Sequence, residues 1–131
     1  MIIVLDSNEY INYIEKKTFL LDKIFLYDKI IVYLNETITK EVTNNLGEPL
    51  VKDFYDFLFR NDINVYYEKM ELKLLQKYKK LGLKKGDIAI AAFCEAINAD
   101  CLITENRHFL KSKKFDKFKI LSIKEFLNKL K

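Results

Sequence analysis

Asp6, Glu41 and Asp87 are acids at the ends or borders of apolar segments, and Asn106 follows a further apolar run. Asp6 closes Met1-Ile2-Ile3-Val4-Leu5 and opens Asp6-Ser7-Asn8. Asp87 heads Asp87-Ile88-Ala89-Ile90-Ala91-Ala92, and Asn106 ends Cys101-Leu102-Ile103-Thr104-Glu105-Asn106. Carboxylates so placed are costly to fold around unless something positive binds between them. Hard divalent cations such as Mg²⁺ or Mn²⁺ prefer oxygen ligands, and a few carboxylates with waters and a substrate phosphate commonly hold them. A cation held this way polarises a phosphodiester and makes water a stronger acid, and that water attacks phosphorus. Such chemistry wants clustered Asp and Glu and requires neither His nor Cys.

The elements that must position these groups alternate between strand and helix. Ile2–Leu5 and Cys101–Thr104 are short apolar runs, as expected of strands buried on both faces. Ile30–Leu34, Ile63–Tyr67 and Lys119–Ser122 read as further strands. Between them, Tyr10, Ile11, Tyr13 and Ile14 recur at helical spacing, and Thr18 offers a cap for a helix reaching Tyr27. Asn35 caps a helix with Ile38, Val42 and Leu46 on one face. Pro49 opens another helix, and Glu68–Leu81 makes one that Gly82 stops. Asp87–Asn98 is nearly uniformly apolar and alanine-rich, so that helix is expected to pack deeply, with Asp87 as its N-cap. Ser122 caps a terminal helix. The reading is a single α/β domain over residues 1–131. It is a three-layer α/β/α sandwich with a mostly parallel central sheet of about four to five strands.

In such sheets ligands gather beyond the carboxyl ends of the strands, near a topological switch point. Asp6 and Asn106 converge there if their strands are neighbours, and Asp87 begins a helix just upstream of the second strand. Glu41 borders the apolar stripe set by Ile38 and Val42, so it can point into a groove. Glu36 competes with it for that role.

Composition narrows the class. Half of the 131 residues are apolar, with 3 Gly and 1 Pro, as in an element-rich globular protein. Cys94 and Cys101 lack metal-ligand spacing and read as reduced packing residues of a cytoplasmic protein. The opening apolar run is too short for an export signal, and no stretch approaches the ~20 apolar residues of a membrane span. The net charge of +4 hides an asymmetry, because nine of the 23 basic side chains fall within residues 107–131. Only Asp116 and Glu125 oppose them there, leaving that segment at +7. An acidic pole facing a basic flank suits a phosphodiester ligand, although the charge alone is more simply a solvated lysine-rich surface. No G-x-x-x-x-G-K or G-x-G-x-x-G loop occurs, which argues against phosphoryl transfer on a small molecule.

Over essentially its whole length the sequence resembles the PIN-domain family of small metal-dependent ribonucleases, and is similar to VapC-like toxins. The resemblance rests on Asp6-Ser7-Asn8 after the first strand, Glu41 in Thr39-Lys40-Glu41-Val42, Asp87 opening an alanine-rich helix, and Thr104-Glu105-Asn106-Arg107-His108-Phe109. It implies a PIN-like fold and a Mg²⁺- or Mn²⁺-dependent endoribonuclease, as the toxin of a type II toxin–antitoxin pair. Asp6, Glu41, Asp87 and Asn106 are then catalytic, with the metal on Asp6, Glu41 and Asp87. RNA is the substrate, and a cognate antitoxin and a homodimer are implied partners.

The match departs at Asn106, where the family often has Asp. Asn offers a carbonyl oxygen without charge, which weakens the case for a second cation. Glu105 is adjacent, but successive residues of an extended chain point opposite ways, so it is not taken as the substitute. A catalytically weakened PIN-like module that binds RNA or protein is therefore the alternative. Asn8 is read either as a turn former or as a partner orienting Asp6. Asn8, Thr104 and Arg107 are the candidates for substrate contact, with Thr104 and Arg107 reaching its phosphate. His108, the only histidine, is read as a surface or packing residue.

Overall fold

The computed structural model describes residues 1–111 and 115–131. Their strands are β1 (Ile2–Leu5), β2 (Ile31–Asn35), β3 (Asn64–Tyr66), β4 (Cys101–Ile103) and β5 (Lys119–Leu121). Their helices are α1 (Ser7–Ile14), α2 (Leu21–Ile24), α3 (Glu36–Asn45), α4 (Glu48–Arg60), α5 (Leu72–Lys80), α6 (Lys85–Ala96), α7 (Arg107–Lys111) and α8 (Ile123–Leu130). The strands form one sheet in the order β3-β2-β1-β4-β5, parallel throughout. Helices cover it in a three-layer α/β/α arrangement.

The central pair sets the frame. Ile3, Val4 and Leu5 of β1 and Leu102 and Ile103 of β4 have no exposed surface, so each strand is apolar on both faces. Their register matches Ile3 with Cys101 and Leu5 with Ile103. At the amino end, Ile2 N–H donates to Asp100 Oδ2 at 2.8 Å. Asp100 N–H returns a bond to Ile2 O at 2.7 Å, so this aspartate clasps the start of both strands.

Local chemistry decides several helix ends. Asn35 Oδ1 accepts from Ile38 N–H at 3.0 Å, and Ser122 forms a reciprocal capping box with Glu125, both at expected caps. Pro49 lies in the first turn of α4. Gly82 adopts φ +92° directly after α5, a conformation that side-chain-bearing residues avoid.

Three expectations are corrected. The helix expected from Thr18 to Tyr27 is a single turn, Leu21–Ile24, and Thr18 Oγ1 accepts from Leu20 N–H at 3.3 Å outside it. Phe19 is 62% and Leu26 79% exposed, so a longer helix would gain little further apolar burial to repay its ordering. The helix expected from Glu68 begins only at Leu72, because the segment before it is mostly exposed and Tyr78 is the buried anchor of α5. Asp87 does not cap α6. That helix starts at Lys85, placing Asp87 in its first turn, where aligned peptide dipoles favour a negative charge.

Packing brings α1 against both α3 and α4, and α6 against α3 and α5. Tyr10 meets Phe54 edge-on, with ring centroids 5.6 Å apart, at the α1–α4 seam. Both rings are fully buried, yet Tyr10 Oη has no hydrogen-bond partner. Phe54→Ala is expected to cost about 3–5 kcal/mol in urea denaturation through the cavity it leaves. Tyr10→Phe removes an unsatisfied buried hydroxyl and is expected to be neutral or stabilising by about 1 kcal/mol in the same measurement.

Candidate active site

The strand order reverses between β1 and β4, and Asp6 follows the first of these strands directly. Its backbone N–H continues the sheet by donating to Ile103 O at 2.9 Å, which aligns Asp6 with Thr104 across the pair. Asp6 Oδ1 accepts from Ser7 N–H at 2.8 Å, capping α1. Its Oδ2 accepts from Thr104 Oγ1 at 2.6 Å. Asp6 is 5% exposed and Thr104 not at all, so two neutral donors hold a buried carboxylate in a fixed orientation.

Helix packing adds the next two acids. Glu41 lies on α3 and Asp87 in the first turn of α6, and the two helices touch. Burial raises the pKa of Glu41, and the charges of Asp6 and Asp87 push it further while the Ser7 hydroxyl opposes the rise. Burial and Asp6 likewise raise Asp87, against the opposing influence of His108, Asn106 and Lys84. Glu41 Oε1 is buried and accepts no hydrogen bond. A methyl group on Gly86 would lie 2.9 Å from Glu41 Oε2, so the missing side chain makes room for this carboxylate.

Asn106 completes the arrangement. Its Nδ2 donates to Asp87 Oδ1 at 3.3 Å, and its backbone N–H donates to Thr104 Oγ1 at 2.9 Å. Asp6, Thr104, Asn106 and Asp87 are thus linked in one hydrogen-bonded chain, with Glu41 beside it.

Asn8 does not orient Asp6. It is exposed at the second position of α1, and Ser7 and Thr104 supply the donors instead. Glu36 is exposed and paired with Lys40 at 2.8 Å, which removes it as the rival of Glu41. Arg107 is exposed at the start of α7. His108 is also exposed, yet close enough to Asp87 for its charge to count, so it lies nearer the acids than the sequence suggested. The expected basic flank does not lie wholly at this rim. Lys119 begins β5 opposite Cys101, at the sheet end away from Asp6, and Lys113 and Lys114 fall outside the described residues.

Glu9 was not foreseen. It occupies the third position of α1, is 5% exposed, and its Oε2 has no hydrogen-bond partner. Burial first, then the charges of Glu105 and Asp6, raise its pKa from an ordinary 4.5 to about 7. The only sequence signal was the Asp6-x-x-Glu9 spacing of a capping box, which normally marks a solvated glutamate. That role is closed here because Asp6 N–H is already committed to Ile103 O.

The donor set is all oxygen, mutually repelling and partly without partners, and this fits a hard divalent cation. Among the described residues no three His, Cys, Asp or Glu side chains stand close enough to enclose an ion by themselves. Mg²⁺ and Mn²⁺ sites that rely on one or two carboxylates, waters and phosphate do not require such a cage. No helix among the described residues is long and apolar enough to cross a membrane.

In metal-free protein the folded state holds the Glu9 proton more tightly than the unfolded chain does. Stability therefore falls as pH rises from about 4.5 to about 7. Glu9→Gln is expected to match the wild type near the lower value and to exceed it by roughly 2–3 kcal/mol above the upper one. Urea denaturation at a series of pH values in a chelator checks this, and a pH-independent gap between the two proteins would refute it.

No family model and no characterised protein sequence matches the chain significantly. Solved structures do. The complex VapBC-1 from nontypeable Haemophilus influenzae matches with a TM-score of 0.71 and 18% identity, over 95% of this chain and 99% of the other. VapBC2 from Rickettsia felis, bound to a DNA fragment from its promoter, matches with a TM-score of 0.64 and 19% identity. That match covers 93% of this chain and 98% of the other. The chain has a VapC-like PIN-domain fold.

Proposed function

We propose that this protein is a metal-dependent endoribonuclease. The observation that supports it best is Asp6, buried at the strand-order switch, held by neutral donors, and close enough to Glu41 and Asp87 to raise both pKa values. A Mg²⁺ or Mn²⁺ ion supplies polarisation of the scissile phosphodiester and a more acidic attacking water when bound. Asp6, Glu41 and Asp87 offer the charged oxygens for it. Thr104 fixes the Asp6 carboxylate, and Asn106 orients Asp87 while leaving its own carbonyl oxygen to accept from His108 N–H at 2.9 Å. Arg107, exposed beside this group, contacts substrate phosphate.

The substrate is single-stranded or loop RNA, cut to leave a 5′-phosphate and a 3′-hydroxyl. Similarity of fold to VapBC complexes supports a toxin role with a cognate antitoxin as protein partner. A cytoplasmic location and a homodimer as the working form belong to the same proposal. Asn106 favours a second reading, a weakened module that binds RNA or protein without cutting, because it removes one charge from the site.

Purified protein is expected to cleave unstructured RNA with Mn²⁺ and to stop on addition of EDTA. Asp6→Asn and Asp87→Asn are each expected to slow cleavage at least about 100-fold, roughly 2.7 kcal/mol of transition-state stabilisation. Circular dichroism should show both variants folded. Equal rates in wild type and both variants would sink the proposal, whereas RNA bound but uncut by the wild type would establish the weakened module.

Gly86→Ala separates the site from the fold. Its methyl displaces only the flexible end of Glu41, and alanine suits a helix better than glycine, so stability is expected to hold or rise by up to about 1 kcal/mol. Cleavage is expected to fall by about tenfold or more because the displaced carboxylate no longer meets the ion. Parallel melting curves and rates test the split, and an unchanged rate would show that Glu41 is not needed.

A further inference from the structure

Beyond the end of β2 the protein surface holds a hollow of about 310 Å³, close to the acids but not lined by them. Asn35, which ends β2, and Thr37 of α3 give it polar groups, while Met70, Leu75 and Ala89 give it an apolar side. Tyr67, just past β3, also borders it. Two helices connect this hollow to the site. A methyl group on Gly86 of α6 would touch Glu41 of α3. Thr37 lies one turn before Glu41, and Ala89 one turn after Gly86. The hollow therefore opens one turn further along the same α3–α6 seam, ~5.4 Å from that contact.

Two features of its lining point to a ligand. Tyr67 is 77% exposed, although Tyr66 beside it packs on Phe93 with ring centroids 5.5 Å apart. The Tyr67 ring also borders a second hollow shared with Tyr55 and Phe59, so it stands largely clear of its own protein. One exposed tyrosine would mean little by itself. Asn35 adds an independent observation. It is 6% exposed, its Oδ1 is spent on capping α3, and its Nδ2 has no acceptor among the described residues. That Nδ2 is not sealed from solvent, so a rigidly held amide keeps one donor for whatever fills the hollow. The carboxylates at the edge already have partners, Glu36 with Lys40 and Glu68 with Tyr66 Oη at 3.0 Å. Their charges repel a phosphate here but not a neutral ring.

We propose that this hollow receives one base of the RNA strand beside the cleaved bond, stacked on Tyr67 and held by Asn35 Nδ2 through an acceptor on the base edge. This rests on the ribonuclease reading above and adds a specificity-determining subsite to it. Bases splayed out of a single strand stack on aromatic side chains and are read along their edges. The volume lies at the lower end of small-molecule pockets, as one planar ring system requires. Lys69 is exposed at the same edge and joins none of the ion pairs among the described residues. It takes the phosphate that adjoins this base.

The test is fluorescence anisotropy with a short labelled single-stranded RNA of mixed sequence, in EDTA at low salt, beside an abasic strand of the same length. Tyr67→Ala is expected to weaken RNA binding about tenfold, and Tyr67→Phe to leave it unchanged, because stacking needs the ring and not the hydroxyl. Asn35→Ser keeps a helix cap and removes the amide, so it is expected to melt with the wild type and bind RNA about fivefold more weakly. The abasic strand is expected to bind all four proteins alike. Tyr67 is exposed, so its variants carry the test if Asn35→Ser does not fold. Equal RNA affinity of wild type and Tyr67→Ala would overturn the subsite and leave the hollow to a side chain of a protein partner. Equal weakening on RNA and on the abasic strand would overturn it too, as would RNA left unbound by the wild type. Cleavage with Mn²⁺ alongside any of those results keeps the ribonuclease reading. A base-dependent loss in a protein that never cuts RNA keeps the subsite and removes that reading.

Discussion

A carboxylate buried between two strands and held only by uncharged donors governs this molecule. Ser7 N–H and Thr104 O–H fix both oxygens of Asp6 without cancelling its charge. A lysine or arginine in their place would make an internal ion pair and leave little attraction for anything else. Neutral donors keep the negative potential at the sheet rim and lend it to every acid packed nearby. The elevated pKa values of Glu9, Glu41 and Asp87 all name Asp6 among their causes.

The arrangement carries an energetic tension. Apolar surface from β1, β4 and the alanine face of α6 drives the helices onto the sheet, and that same closure brings like charges together. The fold tolerates the repulsion because the aromatic seam between α1 and α4 and the buried strands supply stability elsewhere. Sites assembled in this way are strained until a ligand arrives, and the strain is part of their affinity for it.

Elements whose cause is local were legible in the sequence. The apolar runs of β1 and β4 announced burial on both faces, and Asn35 and Ser122 announced helix starts through their own hydrogen bonds. Bounds that depend on packing were not. The shortness of α2 and the late start of α5 reflect a lack of buried partners that only the assembled chain reveals. The site followed the same division. Asp6, Glu41, Asp87 and Asn106 could be singled out in order, but the bond from Thr104 to Asp6 joins residues 98 positions apart. Glu9 escaped notice because its spacing from Asp6 imitates a common surface cap, and the loss of that role depends on β4 lying alongside.

The clasp formed by Asp100 and Ile2 has a further bearing on how this chain can vary. Surface connections ordinarily accept insertions and deletions with little penalty. Here the stretch from Asp100 to Thr104 runs from one pinned point to another, like a ruler cut to length. Adding or removing a single residue within it would turn the threonine hydroxyl to the other face of the sheet. Relatives that keep the chemistry should therefore differ freely in the loops around this stretch while preserving its residue count.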